Sequence, residues 1–88
     1  MNQAKAGLLK NALETIGIQI QNIEQAYQIL ALDAEGRKQF ADGILKKMMI
    51  GGEYTWDAYF KEAPYLLQGV EGQETLEAMK QIHKMLVA

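Results

Sequence analysis

The sequence predicts an all-α fold: a small helical bundle with a long N-terminal helix and three shorter helices. Two observations carry this. Apolar residues recur at alternating steps of three and four over most of the chain, the period of a helix face. The single proline and the scattered glycines also leave long stretches uninterrupted by turn chemistry. With 88 residues and 49% hydrophobic composition, the chain reads as one helical domain over residues 1–88 with a small core.

Residues 3–32 contain no proline and no cluster of turn residues. Ala6, Leu9, Leu13, Ile16, Ile20, Ile23, Tyr27 and Leu30 follow the rhythm of a helix packing along a seam. Ile16, Ile18 and Ile20 also alternate with Gly17 and Gln19, as in a half-buried strand. The helical reading is preferred because its pattern extends on both sides of that stretch. Asp33 then caps a second helix, with Glu35 in its first turn. Phe40, Ile44 and Met48 form one apolar column and Ala41, Leu45 and Met49 another. Lys46 and Lys47 suit the negative end of this helix, and Gly51-Gly52 stops it.

Thr55 caps a short third helix that puts Trp56, Tyr59, Phe60 and Ala63 on one face, and Pro64 ends it or begins a new turn. The competing reading is a hairpin around Gly51-Gly52. Gly69 and Gly72 bracket the last connection, and the final helix is expected from about Gln73 to Val87, with Leu76, Met79, Ile82, His83 and Leu86 as its buried stripe.

Missing residue types exclude several function classes. Without cysteine there is no disulfide, no thiolate nucleophile and no cysteine zinc site. The absence of serine removes the serine triad, and the lone His83 precludes a two-histidine metal site within one chain. No carboxylate lies at helical spacing from His83, so nothing local raises its basicity. We expect no catalysis, no metal and no cofactor. The N-terminus lacks the signature of a signal peptide, and Gln19, Gln21, Asn22, Glu24 and Gln25 interrupt the richest apolar window. A soluble, cytoplasmic protein with no membrane association is expected.

The first helix supplies the main functional expectation. Thirty helical residues would span roughly 45 Å, whereas a domain of this size is only about 30 Å across, so either Gly17 breaks the helix or another chain covers the projecting seam. Its polar positions are mostly uncharged amides, which suggests cover on more than one side. Leu13, Ile16, Ile20, Ile23, Tyr27 and Leu30 are therefore the expected oligomer interface. The aromatic group between Tyr54 and Tyr65 is read mainly as core. Its flanking members, Tyr54 and Tyr65, are the candidate partner-binding residues at the rim. The methionines are read as core filler.

The resulting expectation is a small non-catalytic interaction module that self-associates and binds a protein partner, as an adaptor, an assembly chaperone or a small inhibitor would. The alternative is a DNA-binding regulator using a loose helix-turn-helix at residues 34–63, with Arg37, Lys38, Lys46 and Lys47 flanking its first helix. Nucleic acid is disfavoured, because the candidate reader helix carries Asp57 and Glu62 against Lys61 and the net charge is −2.

Overall fold

A computed structural model describes residues 3–48 and 55–88. The expected Gly51-Gly52 stop, the rival hairpin turn, Met49 and Tyr54 lie outside the described residues. The chain forms five helices: α1 (Gln3–Thr15), α2 (Ile23–Leu30), α3 (Ala34–Met48), α4 (Trp56–Leu66) and α5 (Gly69–Leu86). No strand occurs among the described residues.

The all-α class is as expected, but the long first helix is not. It is divided into α1 and α2, and the division has a local cause. Gly17 adopts a positive φ of 88°. The Ile18 amide donates to the Leu13 carbonyl at 2.8 Å, and the Gly17 amide donates to the Glu14 carbonyl at 3.0 Å. This pair of bonds is a Schellman C-cap, with glycine at the left-handed position where a side chain would be strained. Asn22 then starts α2, its side chain accepting from the Gln25 amide. Gln25 Oε1 reaches back to accept from the Gln21 amide at 2.9 Å. This reciprocal arrangement is a variant of the capping box. Between the caps, Ile18 is half-buried, Gln19 exposed and Ile20 buried. The alternating pattern of isoleucines thus tracks real alternation in burial, although no strand forms there. The longest dimension of the molecule is 36 Å, too short for an unbroken helix of roughly 45 Å.

The other helix starts follow their caps. The Asp33 carboxylate accepts from the Gly36 amide at 2.7 Å, and the Thr55 hydroxyl accepts from the Ala58 amide at 3.2 Å. α4 continues past Pro64 to Leu66. Pro64 removes the bond its amide would have made to the Phe60 carbonyl and crowds that carbonyl with its ring, a cost confined to the last turns because α4 ends two residues later. α5 begins at Gly69 rather than near Gln73. Its early start requires a glycine at position 72, where a Cβ would lie 2.5 Å from the Leu67 carbonyl carbon. The end of α4 therefore crosses directly over the first turn of α5.

α1 and α5 are the most extensively packed pair, and they run antiparallel: Lys5 shares a cleft with Lys84, and Thr15 a groove with Glu74. α2 packs on α1, while α3 and α4 both pack on α5. One core results. Leu9, Leu13, Leu45, Met79 and Ile82 are its largest fully buried side chains, each contributing about 1.5 to 3 kcal/mol by leaving water. No described helix is long and apolar enough to cross a membrane.

Candidate functional site

The break at Gly17 reassigns the residues expected to form an oligomer seam. Leu13 is fully buried and Ile20 nearly so, both within the chain's own core. Ile16, Tyr27 and Leu30 are half-buried and packed against that core, while Ile23 sits exposed in the first turn of α2. These side chains do not share one outward stripe. α1 and α2 fold onto the rest of the chain, which covers Leu13 and Ile20 and leaves Ile23 exposed.

The aromatic cluster is core, as its helical spacing predicted. Trp56 and Tyr59 are buried and Phe60 is half-buried. Trp56 meets Tyr59 edge-on at 6.3 Å between centroids, and Phe60 meets Tyr59 edge-on at 5.5 Å. His83 from α5 closes the group, 5.2 Å from Trp56 and 5.4 Å from Phe60. Such contacts give His83 a packing role. Two polar atoms are left stranded here: Trp56 Nε1 and Tyr59 Oη are buried without a hydrogen-bond partner among the described residues. Burial raises the pKa of the Tyr59 hydroxyl above its ordinary value of 10.0, because the phenolate would lose its hydration. Tyr65 is 79% exposed, in the place expected for a rim residue. Met79 is buried, and Met48 and Met85 are half-buried against the core, as filler. Among the described residues no group of histidine and carboxylate side chains could hold a metal ion.

On α4, the candidate reader helix, Trp56, Tyr59 and Ala63 turn inward. Its exposed positions include Asp57 and Glu62 as well as Lys61, a net acidic face that phosphates would repel.

Two surface features went unread in the sequence. The first is a shallow groove along the α1–α5 pair. α1 contributes Leu8, Asn11, Ala12 and Thr15, and α5 contributes Glu74, Glu77, Ala78 and Gln81. It runs on, through the shared Glu74 and Glu77, to a depression at Gly69, Val70 and Gln73. Leu8 is 51% exposed and Val70 76% exposed. Among the described residues, Glu74 and Glu77 are the only charged ones lining this continuous surface. Leu8 falls one position off the buried Ala6–Leu9–Leu13 stripe, which is the signal that could have revealed it. Val70 lies in the connection that the sequence places between Gly69 and Gly72, which the structure makes the first turn of α5.

The second feature is a cleft of about 650 Å³ where α1 begins, α3 begins and α5 ends. Lys5, Arg37, Lys38 and Lys84 line it together with Glu35. Comparison with known proteins finds no matching family model, no similar curated protein and no similar solved structure.

Proposed function

We propose that this chain is a small non-catalytic protein-interaction module that takes a basic amphipathic helix of a partner protein in the groove between α1 and α5. The observation that supports this is the composition of the groove. Small Ala12 and Ala78 and exposed Leu8 and Val70 offer apolar surface, and among the described residues the only charges lining it are Glu74 and Glu77. A helix with leucines on one face and lysines at its margins would bury Leu8 and Val70 and place cations beside the two glutamates. A second copy docked on the same face about a two-fold axis would bring Glu74 and Glu77 against their own copies, which like-charge repulsion opposes. Self-association was expected from the length of the first helix, and α1 is too short to project from its own domain.

The test uses an 18-residue peptide of leucine and lysine in helical amphipathic order, labelled for fluorescence anisotropy. The expected result is saturable binding, with amide shifts confined to α1 and α5. Leu8→Lys and Glu77→Lys should each weaken it at least tenfold, while Lys38→Glu on the opposite cleft should not. Equal binding of a peptide with the same composition in scattered order would overturn the proposal. So would equal binding of a leucine–glutamate counterpart, or a light-scattering mass showing that Leu8→Lys dissolves a dimer.

A further inference from the structure

The cleft at the other end of the α1–α5 pair is independent of the groove and carries its own inference. The chain has nine basic and 11 acidic residues, yet four of those cations, Lys5, Arg37, Lys38 and Lys84, line this one concavity. They come from three helices that are distant in sequence, so only the tertiary fold assembles them. Among the described residues none of the four makes an ion pair within 4.0 Å; the pair that does form, Lys10 with Glu14, is elsewhere. Arg37 is half-buried and held in place, its Nη1 donating to the Leu32 carbonyl at 2.6 Å. That bond uses one guanidinium donor and leaves the others free for a ligand.

Two helix ends meet at the cleft with opposed dipoles. α3 presents its positive N-terminal end and α5 its negative C-terminal end, so the backbone contributions offset one another and the side chains set the sign. Glu35 and the terminal carboxylate of Ala88 also line the cleft, and four cations against these two anions leave a cationic excess. Most of the cleft's exposed lining is polar, and Leu30, Ala34, Met85 and Val87 add a smaller apolar wall. The volume of about 650 Å³ lies within the roughly 300 to 1,000 Å³ of small-molecule sites.

We infer that this cleft binds a small amphiphilic anion, a phosphate or carboxylate head carried on an apolar body. The four cations take the head, with Arg37 able to grip it through two parallel hydrogen bonds. The apolar wall takes the body. An inorganic anion would leave that wall uncovered. Duplex DNA fits poorly, because its phosphates need an extended cationic surface and the outer face of α4 is net acidic.

The experiment titrates the 15N-labelled protein with octyl phosphate below its aggregation threshold, inorganic phosphate and octyl glucoside. A fourth titration uses vesicles of mixed phosphatidylglycerol and phosphatidylcholine. Octyl phosphate should bind at least tenfold more tightly than the phosphate or the glucoside, shifting the amides of Lys5, Arg37 and Met85. Arg37→Gln combined with Lys84→Gln should weaken octyl phosphate at least tenfold, and Leu8→Lys should leave it unchanged. Should loss of the Arg37–Leu32 bond unfold that variant, Lys38→Gln with Lys84→Gln keeps the test and should weaken binding at least threefold. Equal affinity for octyl glucoside would overturn the inference, as would undiminished binding by the folded variants. Binding to vesicles without binding to monomeric octyl phosphate, or displacement of octyl phosphate by a 12-base-pair duplex, would also overturn it.

Discussion

Replacing Gly17 with alanine and comparing it with the same change at Gly43 isolates the feature that decides this fold. At Gly17 a Cβ would meet no atom within 4 Å, so the substitution creates no clash. Its whole cost is conformational, because φ is +88° and an L-residue pays roughly 1 to 2 kcal/mol to occupy the left-handed region. Gly43 lies exposed inside α3, also with no atom within 4 Å of a Cβ. There alanine should stabilise by about 0.5 to 1 kcal/mol through its higher helix propensity. Identical chemistry is thus predicted to act with opposite signs at two open sites. In a domain of this size each kcal/mol moves Tm by about 4 to 8 °C, so Gly17→Ala should lower Tm by about 4 to 16 °C. Alanine also favours continuation of α1 through position 17 by about 1 kcal/mol. Relative to the native form, a continuous helix then gains about 2 to 3 kcal/mol, on the order of 30- to 150-fold in population. Urea unfolding followed by circular dichroism measures the first effect, with an unchanged slope confirming that the native state is intact. Light scattering monitors the second, since a continuous helix would expose Leu13 and Ile20 to a second chain. Equal changes at the two glycines, or a more stable Gly17→Ala, would refute the Schellman-cap explanation for the division of α1 from α2.

Further predictions concern the α4–α5 junction. Gly72→Ala places a Cβ against backbone at 2.5 Å, so α4 must shift; a loss of about 1 to 3 kcal/mol should appear in urea titration. Tyr59→Phe removes a buried hydroxyl that lacks a partner among the described residues and should leave stability equal or raise it by up to about 1 to 3 kcal/mol. The same residue makes stability fall with rising pH. Above pH 10.0 the unfolded tyrosine releases a proton that the folded one retains, because burial raises its pKa. The resulting slope, at most about 1.4 kcal/mol per pH unit, should flatten in Tyr59→Phe. Trp56→Ala should cost about 3 to 5 kcal/mol as a core truncation, while Tyr65→Ala, at a site 79% exposed, should change the urea midpoint by no more than the equivalent of about 0.5 kcal/mol.

Much of the local structure was legible because its causes are local. Asp33 and Thr55 lie immediately ahead of apolar periodicity, and their side chains need only reach an amide three residues on. Trp56, Tyr59 and Ala63 turn inward together because helical spacing puts them on one face. The Asn22-x-x-Gln25 capping signal and Gly17 were also present in the sequence. Gly17 permits a break without demanding one, and the three-four apolar rhythm runs across both it and Asn22. Ile16 and Ile20 keep that rhythm while serving different elements, so periodicity alone could not locate the break.

The sequence by itself determined the all-α class, the identity of most core side chains and the absence of thiol and serine chemistry. Those follow from periodicity and composition, which act over one or two helical turns. Tertiary structure decided how much of the apolar rhythm of residues 6–30 this chain covers itself, with Leu9, Leu13 and Ile20 buried in its own core. A stripe of leucines and isoleucines records only that it must be covered, whereas the Gly17 cap lets α2 fold back onto α1 and α3. The gathering of Lys5, Arg37, Lys38 and Lys84 was equally invisible, since their proximity depends on α1, α3 and α5 ending at one place. Charges far apart in sequence acquire a shared field only when packing fixes the distances between them.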